Sequence, residues 1–240
     1  MPIWSKNNWI SISSGKMNNR NKTFLALLFA SISISAQQKN VGDFVKVTAF
    51  DQIDVMLIPS DENRVILRGK AADEVELINK NGELKIRMPI TQMFEGDDIS
   101  ATVYYTKLNA VEANEGSRIA SESTVEASDF EIITKEGSVV ELHLDVAALH
   151  LKTSDGSKVY LEGKATNQDV LINSGSIYKA QNLQTTQTTI TANAGAEGFV
   201  NASDLVDAKV RAGGKVSIYG RPKQINKKII AGGKIYEKEE

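Results

Sequence analysis

Three acidic residues in the second half of the chain recur at a regular spacing and are the candidates for metal binding. Glu115, Glu136 and Asp155 each stand directly before a glycine. If the segments that carry them stack as parallel strands, the carboxylates lie along one edge at steps of about 5 Å. Carboxylates that close repel one another, and a hard cation such as Ca²⁺ would relieve the repulsion through oxygen ligands. A solvated corner without metal is the commoner arrangement. We therefore expect the protein to need no cofactor, and to fold when all three acids are replaced by Asn or Gln.

Hydroxyl and imidazole side chains are present, but their spacing does not predict a catalytic site. His143 and His150 each lie between two leucines, which places both on the outer face of a strand, and no third metal ligand accompanies them. No Gly-x-Ser-x-Gly nucleophile motif occurs. We therefore predict that the protein is not an enzyme, and that hydrogen bonds along a stack are the role of the serines that follow the repeated glycines: Ser117, Ser138, Ser157 and Ser176.

Two further groups of residues could contact a ligand. An acidic loop carries Glu95, Asp97 and Asp98, for which a solvated loop is the simpler interpretation. Aromatic rings on the outer face of a strand could form a strip that stacks on sugar rings. The alternation of the sequence leaves open which of the candidate rings face outward: Tyr104 or Tyr105, Tyr160 and Tyr178.

The positions of all these residues depend on an internal repeat. Seven glycines align at spacings of 21, 19, 19, 20, 19 and 19 residues: Gly116, Gly137, Gly156, Gly175, Gly195, Gly214 and Gly233. Between them lie short segments of alternating polar and apolar residues, such as residues 141–146, and no helical stripe. A repeat of this length predicts an all-β fold, a parallel β-helix or β-solenoid of about seven turns of 19–21 residues. One turn cannot bury its own apolar face, so the turns must stack to form a core.

The first half of the mature chain differs from the second. Residues 37–108 are predicted to form a smaller β-rich region that precedes the solenoid region of residues 109–240. Asn81-Gly82 between two strand-like segments predicts a hairpin. We expect this region to cover one open end of the solenoid, and the charged tail of residues 236–240 to protect the other end from edge-to-edge association.

Residues 1–36 are predicted to be an upstream extension followed by a signal peptide. A basic stretch at residues 17–22 precedes the apolar run of residues 23–30, and Ala36 is a small residue at the expected cleavage site. Met17 rather than Met1 begins the better signal peptide. We expect export through the Sec pathway to the periplasm or the cell surface, with no membrane-integral segment after cleavage.

Composition excludes several functional classes. The chain of 240 residues contains no cysteine, which excludes zinc-finger, iron–sulfur and thiol-nucleophile chemistry. Loss of residues 1–36 removes four basic residues and no acidic one, so the net charge changes from −2 to −6. That balance argues against nucleic acid as a partner.

The order of the motifs resembles the auto-transporter adhesin head GIN-domain family over about residues 41–238. The resemblance rests on Ile53-Asp-Val-Met-Leu-Ile, on Gly82-Glu-Leu-Lys-Ile, on residues 103–113, and on the closing segments at Tyr219-Gly-Arg-Pro-Lys and Ala231-Gly-Gly-Lys-Ile-Tyr. It implies a right-handed β-solenoid of a secreted protein of the Gram-negative envelope, with a surface or adhesion role.

Three functions remain open at this point. The first is a noncatalytic envelope or secreted protein that presents a rigid β-solenoid face to a glycan or protein ligand and can form homo-oligomers. The second is a periplasmic assembly or signalling factor whose partner is another envelope protein. The third is a polysaccharide-active β-helix enzyme, which is disfavoured because no long insertion between the repeats would wall a cleft.

Overall fold

The computed structural model describes residues 37–238, which are almost entirely β-structure apart from a three-residue 3-10 helix at Ile90–Gln92. The strands form one continuous hydrogen-bonded sheet. Their bounds are β1 (Gln37–Asn40), β2 (Lys46–Ala49), β3 (Asp54–Pro59), β4 (Arg64–Arg68), β5 (Glu76–Lys80), β6 (Glu83–Arg87), β7 (Ser100–Tyr105), β8 (Ala110–Ala113), β9 (Arg118–Thr134), β10 (Val139–Thr153), β11 (Lys158–Ile172), β12 (Ile177–Ala192), β13 (Glu197–Arg211), β14 (Lys215–Tyr219), β15 (Gln224–Ile230) and β16 (Lys234–Glu237).

The strands from β8 onward stack in parallel and confirm the predicted all-β solenoid of about seven turns. β10, for example, pairs with β9 on one side and β11 on the other. Val140 of β10 pairs with Val159 of β11, which lies one repeat later in the chain. We call each turn of the stack a layer and each glycine-containing bend between strands a corner. The outer surface of the residues directly after each corner is the post-corner face, and that of the residues directly before it is the pre-corner face.

Alternation of apolar and polar residues explains why each layer buries one side. In β10, Leu142 and Leu144 point into the core while His143 between them is exposed. Each strand pairs with the equivalent strand of the next repeat, so equivalent apolar side chains lie above one another in continuous inward columns. One such column is fully buried and consists of Val111, Ile132, Leu151, Val170 and Ile190. The core therefore needs neither disulfides nor tryptophan, because stacking removes the apolar surface of each layer from water.

Each corner contains two consecutive residues with φ in the left-handed region. The positions of these pairs show that two glycines of the sequence alignment are not the corner glycines of their layers. At Glu136 and Gly137 the φ angles are 59° and 75°, and the Gly137 N–H donates to the Asp155 carbonyl of the next layer at 3.0 Å. The same bond joins Gly195 to Ala212, and Gly213 to Ala231. In the last two layers the corner glycines are thus Gly213 and Gly232. The alignment of Gly214 and Gly233 with Gly195 is wrong by one residue, because Ala-Gly-Gly offers two glycines and only the backbone bond distinguishes them.

Residues 37–108 contribute two further layers whose order in space differs from their order in the chain. β2 lies between β6 and β8, and β3 lies between β7 and β9, all in parallel pairs. Beyond these layers β4 pairs antiparallel with β7, and β5 pairs antiparallel with β6. The predicted hairpin at Asn81-Gly82 is confirmed, since Lys80 pairs with Glu83 and both turn residues have positive φ.

The layer formed by β15 and β16 ends the stack at its other end and carries charges at core positions. Lys227 pairs with the buried Ala208, and Glu237 pairs with the buried Ile218, so both side chains occupy inward columns. The two form an ion pair with each other across the end of the core. Ile229, in another inward column, is 54% exposed because no further layer within residues 37–238 covers it.

The predicted upstream extension and signal peptide, residues 1–36, lie outside the described residues. Among the residues that the structure describes, no helix has the length and apolar character needed to cross a membrane.

Candidate functional site

The three repeat acids lie on consecutive layers at the corners, and a fourth acid extends their row. Corner backbone bonds link the layers of Glu115, Glu136 and Asp155 at 2.9–3.0 Å. The Gln52 N–H donates in the same way to the Glu115 carbonyl at 3.0 Å, which places Asp51 next in the row. Within residues 37–238 no three acidic or histidine side chains converge on one point that could hold a metal ion.

Asp51 anchors the acidic loop that the sequence analysis singled out. Its side chain is only 3% exposed, and its carboxylate accepts hydrogen bonds from the backbone N–H of Met88 at 2.9 Å and of Phe94 at 3.1 Å. The loop that carries Glu95, Asp97 and Asp98 is thus held against the corner row. A cleft of about 510 Å³ between them is lined by Gln52, Phe94, Glu115, Gly116 and Glu136.

The row carries electrostatic strain at Glu115. Burial raises the pKa of the Glu115 carboxyl above its ordinary value, and the neighbouring charges of Asp51 and Glu136 raise it further. A folded state that binds this proton more tightly than the unfolded chain is destabilised at neutral pH. It recovers stability as the pH falls through the raised pKa towards the ordinary carboxyl value.

We therefore expect Glu115→Gln to raise the melting temperature modestly at neutral pH, because it removes the charge that Asp51 and Glu136 disfavour. The gain should shrink as the pH is lowered towards the ordinary carboxyl pKa, where the wild-type side chain becomes neutral as well. Melting curves at several pH values measure this difference. Asp155→Asn, two layers away at an exposed position, is the matched control; an equal, pH-independent gain from it would contradict the expectation.

Two of the four serines after the corners bind backbone atoms of a neighbouring layer, whereas the buried hydroxyls of Ser157 and Ser176 have no hydrogen-bond partner within residues 37–238. The Ser117 hydroxyl donates to the Ala49 carbonyl at 3.1 Å, and the Ser138 hydroxyl donates to the Ala113 carbonyl at 2.6 Å. Lys215 and Lys234 lie one position after the serine position of their layers, because Lys215 pairs with Glu197 and Lys234 pairs with Lys215. The serine hydroxyls at Ser117 and Ser138 thus tie layers together.

The two histidines face outward, as their alternation with leucine predicts. The side chain of His143 is 48% exposed and lies 3.7 Å from Glu162, while that of His150 is 53% exposed and lies 3.3 Å from Asp129. The pairs lie on different faces, His143 after a corner and His150 before the next.

The structure shows which of the tyrosines considered from the sequence face outward, and they do not form one exposed strip. Tyr178 is fully buried, its hydroxyl donates to the Gln168 Oε1 atom at 2.6 Å, and burial raises its pKa. Tyr105 is also buried. Tyr104 is partly exposed but lies beneath the Arg64 guanidinium, whose central carbon is 3.8 Å from the ring centroid.

A different set of aromatic rings forms a column on the post-corner face. Strand pairing places Tyr160, Lys179, Phe199, Ser217 and Tyr236 opposite one another on five consecutive layers. Tyr160 and Phe199 are half-buried and Tyr236 is 41% exposed. Rings therefore occur on alternate layers, about 9.5 Å apart. We call these five residues the aromatic column. The three rings lie two turns apart in the chain, so only the pairing of strands between layers shows that they share a column.

Basic side chains flank the aromatic column. The adjoining outward column, two residues earlier in each layer, contains Lys158, Lys215 and Lys234. Lys179 Nζ lies 5.5 Å from the Tyr160 ring centroid, and Lys238 Nζ lies 5.3 Å from that of Tyr236. A cleft of about 530 Å³ adjoins Tyr160 and is lined by Met56, Arg118, Ala120, Ser121, Glu122, Glu141, Leu142, His143, Tyr160 and Glu162.

The fold is a β-solenoid whose stacked strands form a continuous outer surface. The sequence profile of the family described as "Putative auto-transporter adhesin, head GIN domain" matches residues 43–222, and the chain belongs to that family. Membership points to a surface or secreted protein with an adhesin-like role. No curated protein sequence shows significant similarity to the chain.

Solved structures share the fold at low sequence identity. A "putative adhesin" from Bacteroides fragilis has a TM-score of 0.79 at 17% identity, over 85% of this chain and 96% of that chain. A "putative adhesin" from Parabacteroides distasonis has a TM-score of 0.70 at 17% identity, over the same shares. A "putative lipid binding protein" from the same species has a TM-score of 0.65 at 15% identity, again over 85% and 96%.

Proposed function

We propose that the protein is an exported, noncatalytic adhesin-like module that binds a surface ligand, a glycan or a protein, through its post-corner face. The aromatic column is the observation that carries this proposal. Its rings are held at constant spacing by continuous strand pairing, so the face is organised before a ligand arrives. Binding then costs little conformational entropy in the protein.

The proposal includes the absence of catalysis. Of the four repeat serines, Ser117 and Ser138 already donate to backbone carbonyls, and Ser157 and Ser176 are fully buried and cannot reach a ligand. The two histidines lie on different faces beside different acids, Glu162 and Asp129. Ser121 lines the same cleft as His143, but it is buried and its hydroxyl donates to the Leu57 and Ser123 carbonyls. Both arrangements favour a structural role for these side chains over the triad geometry that hydrolysis needs.

Export through the Sec pathway is part of the same proposal. Cleavage after Ala36 would release a chain that begins at Gln37 and keeps all sixteen strands, β1 to β16. The described residues 37–238 share one hydrophobic core, so the released chain retains every layer. The mass of the protein recovered from the culture medium, the periplasm and washed cells would identify both the cleavage site and the compartment.

Purified residues 37–240 should bind to intact cells or their extracellular polymers, and the binding should depend on the aromatic column. We expect Tyr160→Ser/Phe199→Ser/Tyr236→Ser to weaken binding by about tenfold or more, because the rings are the anchors of the face. Flow cytometry with labelled protein measures the change.

The matched control is Ile133→Ser/Leu171→Ser on the pre-corner face, which also removes half-exposed apolar side chains. Equal loss in both variants, or no binding by the unaltered protein, would contradict the proposed function. Shortening of a bound polymer during incubation would support the enzyme alternative instead.

A further inference from the structure

We propose that the aromatic column binds an acidic, β-linked glycan that lies along the solenoid axis. This inference rests on the proposed function and assigns the ligand class of the same face. The site comprises the stacking rings Tyr160, Phe199 and Tyr236 together with the basic side chains beside them.

The spacing of the rings fits a sugar chain with a two-residue repeat. Rings on alternate layers are about 9.5 Å apart, close to the advance of one disaccharide unit along an extended β-linked glycan. Every second sugar can therefore place its apolar C–H face on a ring, while the intervening sugar passes over Lys179 or Ser217. Half-burial of Tyr160 and Phe199 fixes the orientation of both rings.

The charge around the rings favours an acidic chain. The acids nearby are Glu197 in the adjoining column, and Glu141 and Glu162 at the Tyr160 end, where Glu141 forms an ion pair with Arg118. Five lysines lie in or beside the column: Lys158, Lys179, Lys215, Lys234 and Lys238. Of these, Lys215 is paired with Glu197 at 2.7 Å. Lys158 and Lys234 are exposed and form no ion pair within residues 37–238. The basic strip contrasts with the net charge of −6 of the mature chain. Binding of a glycan that carries carboxylate or sulfate groups would make use of this positive charge.

Single-stranded nucleic acid is also acidic and stacks on aromatic rings, but the geometry favours a glycan. Nucleic acid platforms place rings under successive bases. In this column, Lys179 and Ser217 separate the rings, and neither offers a stacking surface. The alternation of ring and polar side chain matches alternating sugars better than successive bases.

The test compares three probes of similar length on purified residues 37–240: hyaluronan oligosaccharides, neutral chitin oligosaccharides and oligothymidylate. We expect hyaluronan oligosaccharides to bind most tightly, with affinity that falls as salt is raised because exposed charges are screened. Calorimetry at two salt concentrations measures both quantities. Chondroitin sulfate serves as a second acidic β-linked probe.

Variants separate the contribution of the rings from that of the charges. Lys158→Gln/Lys234→Gln should weaken binding of the acidic probes by about tenfold and leave the neutral probe unchanged. Lys152→Gln/Lys209→Gln, which removes two outward lysines from the pre-corner face, is the matched control. Tyr160→Ser/Phe199→Ser/Tyr236→Ser should weaken all glycan binding, with circular dichroism confirming that the variant is folded.

The binding preferences decide whether the ligand is an acidic glycan. Preference for neutral over acidic glycan, preference for oligothymidylate, or no binding of either acidic probe would overturn it. If cell binding still depends on the aromatic column in any of these cases, the proposed function stands and only the ligand class is wrong. Failure of the cell-binding experiment as well would overturn both.

Discussion

Replacing Gly163 with alanine is expected to lower the free energy of unfolding by roughly 3 kcal/mol or more. Gly163 lies in β11 with φ of +103°, a conformation that residues with a side chain rarely adopt. A Cβ atom there would lie 2.2 Å from the carbonyl oxygen of Leu144, the residue with which Gly163 pairs in the neighbouring layer. Because that contact is with backbone, it cannot be relieved without opening the ladder between β10 and β11.

The corner glycine Gly156 is the matched control in the same repeat. It has φ of +73°, but a Cβ atom there would meet no atom within 4 Å. Gly156→Ala should therefore cost only about 1 kcal/mol, the penalty of the left-handed conformation alone. Ala194 already tolerates that conformation at a corner, with φ of 49°. Urea unfolding of both variants measures the two costs, and equal losses would contradict the close approach at Gly163.

A second large effect is expected at the end of the solenoid, where Lys227→Ile/Glu237→Val should cause end-to-end association. The wild-type pair places two charges at core positions of the last layer. Inward-pointing charge is a known means of preventing free strand edges from pairing with another molecule. Once both side chains are apolar, the end presents Ile229 and Ile235 beside them, together with unpaired edges of β15 and β16.

Analytical ultracentrifugation over a range of concentrations measures this association. The double variant should form dimers or larger species at concentrations where the wild type does not associate through this end. Lys152→Ile/Asp169→Val is the control, because it also exchanges one pair of opposite charges for apolar side chains, but at outward positions within the stack. An unchanged sedimentation profile for the end variant, or the same change in the control, would count against this role of the ion pair.

Several features followed from short-range pattern alone. The glycine period predicts the stacked layers, because each unit must bury the same apolar face against its neighbours. Alternation with leucine predicts the outward position of His143 and His150, since successive side chains in a strand point to opposite sides. Asn81-Gly82 predicts its hairpin because both residues accept the positive φ that the turn requires.

The same local patterns could not identify residues whose roles depend on contacts between layers. Gly163 stands in an ordinary Glu-Gly-Lys context, and only its distance to the Leu144 carbonyl distinguishes it from the corner glycines. Asp51 lies outside the repeat, yet it continues the acidic row and raises the pKa of Glu115. Tyr178 and Tyr160 both lie in alternating segments, and only one of them proves to be core.

The sequence by itself determined that this chain is a stacked β-solenoid, because its period and alternation are properties of consecutive residues. The tertiary structure decided which side chains share a column. Tyr160, Phe199 and Tyr236 lie on one face because four successive strand pairings, across five layers, set their register. The insertion of β2 and β3 between layers that come later in the chain likewise depends on long-range pairing. Strand register and the spatial order of the strands depend on residues far apart in the chain, so which side chains share the post-corner face is a property of the folded stack.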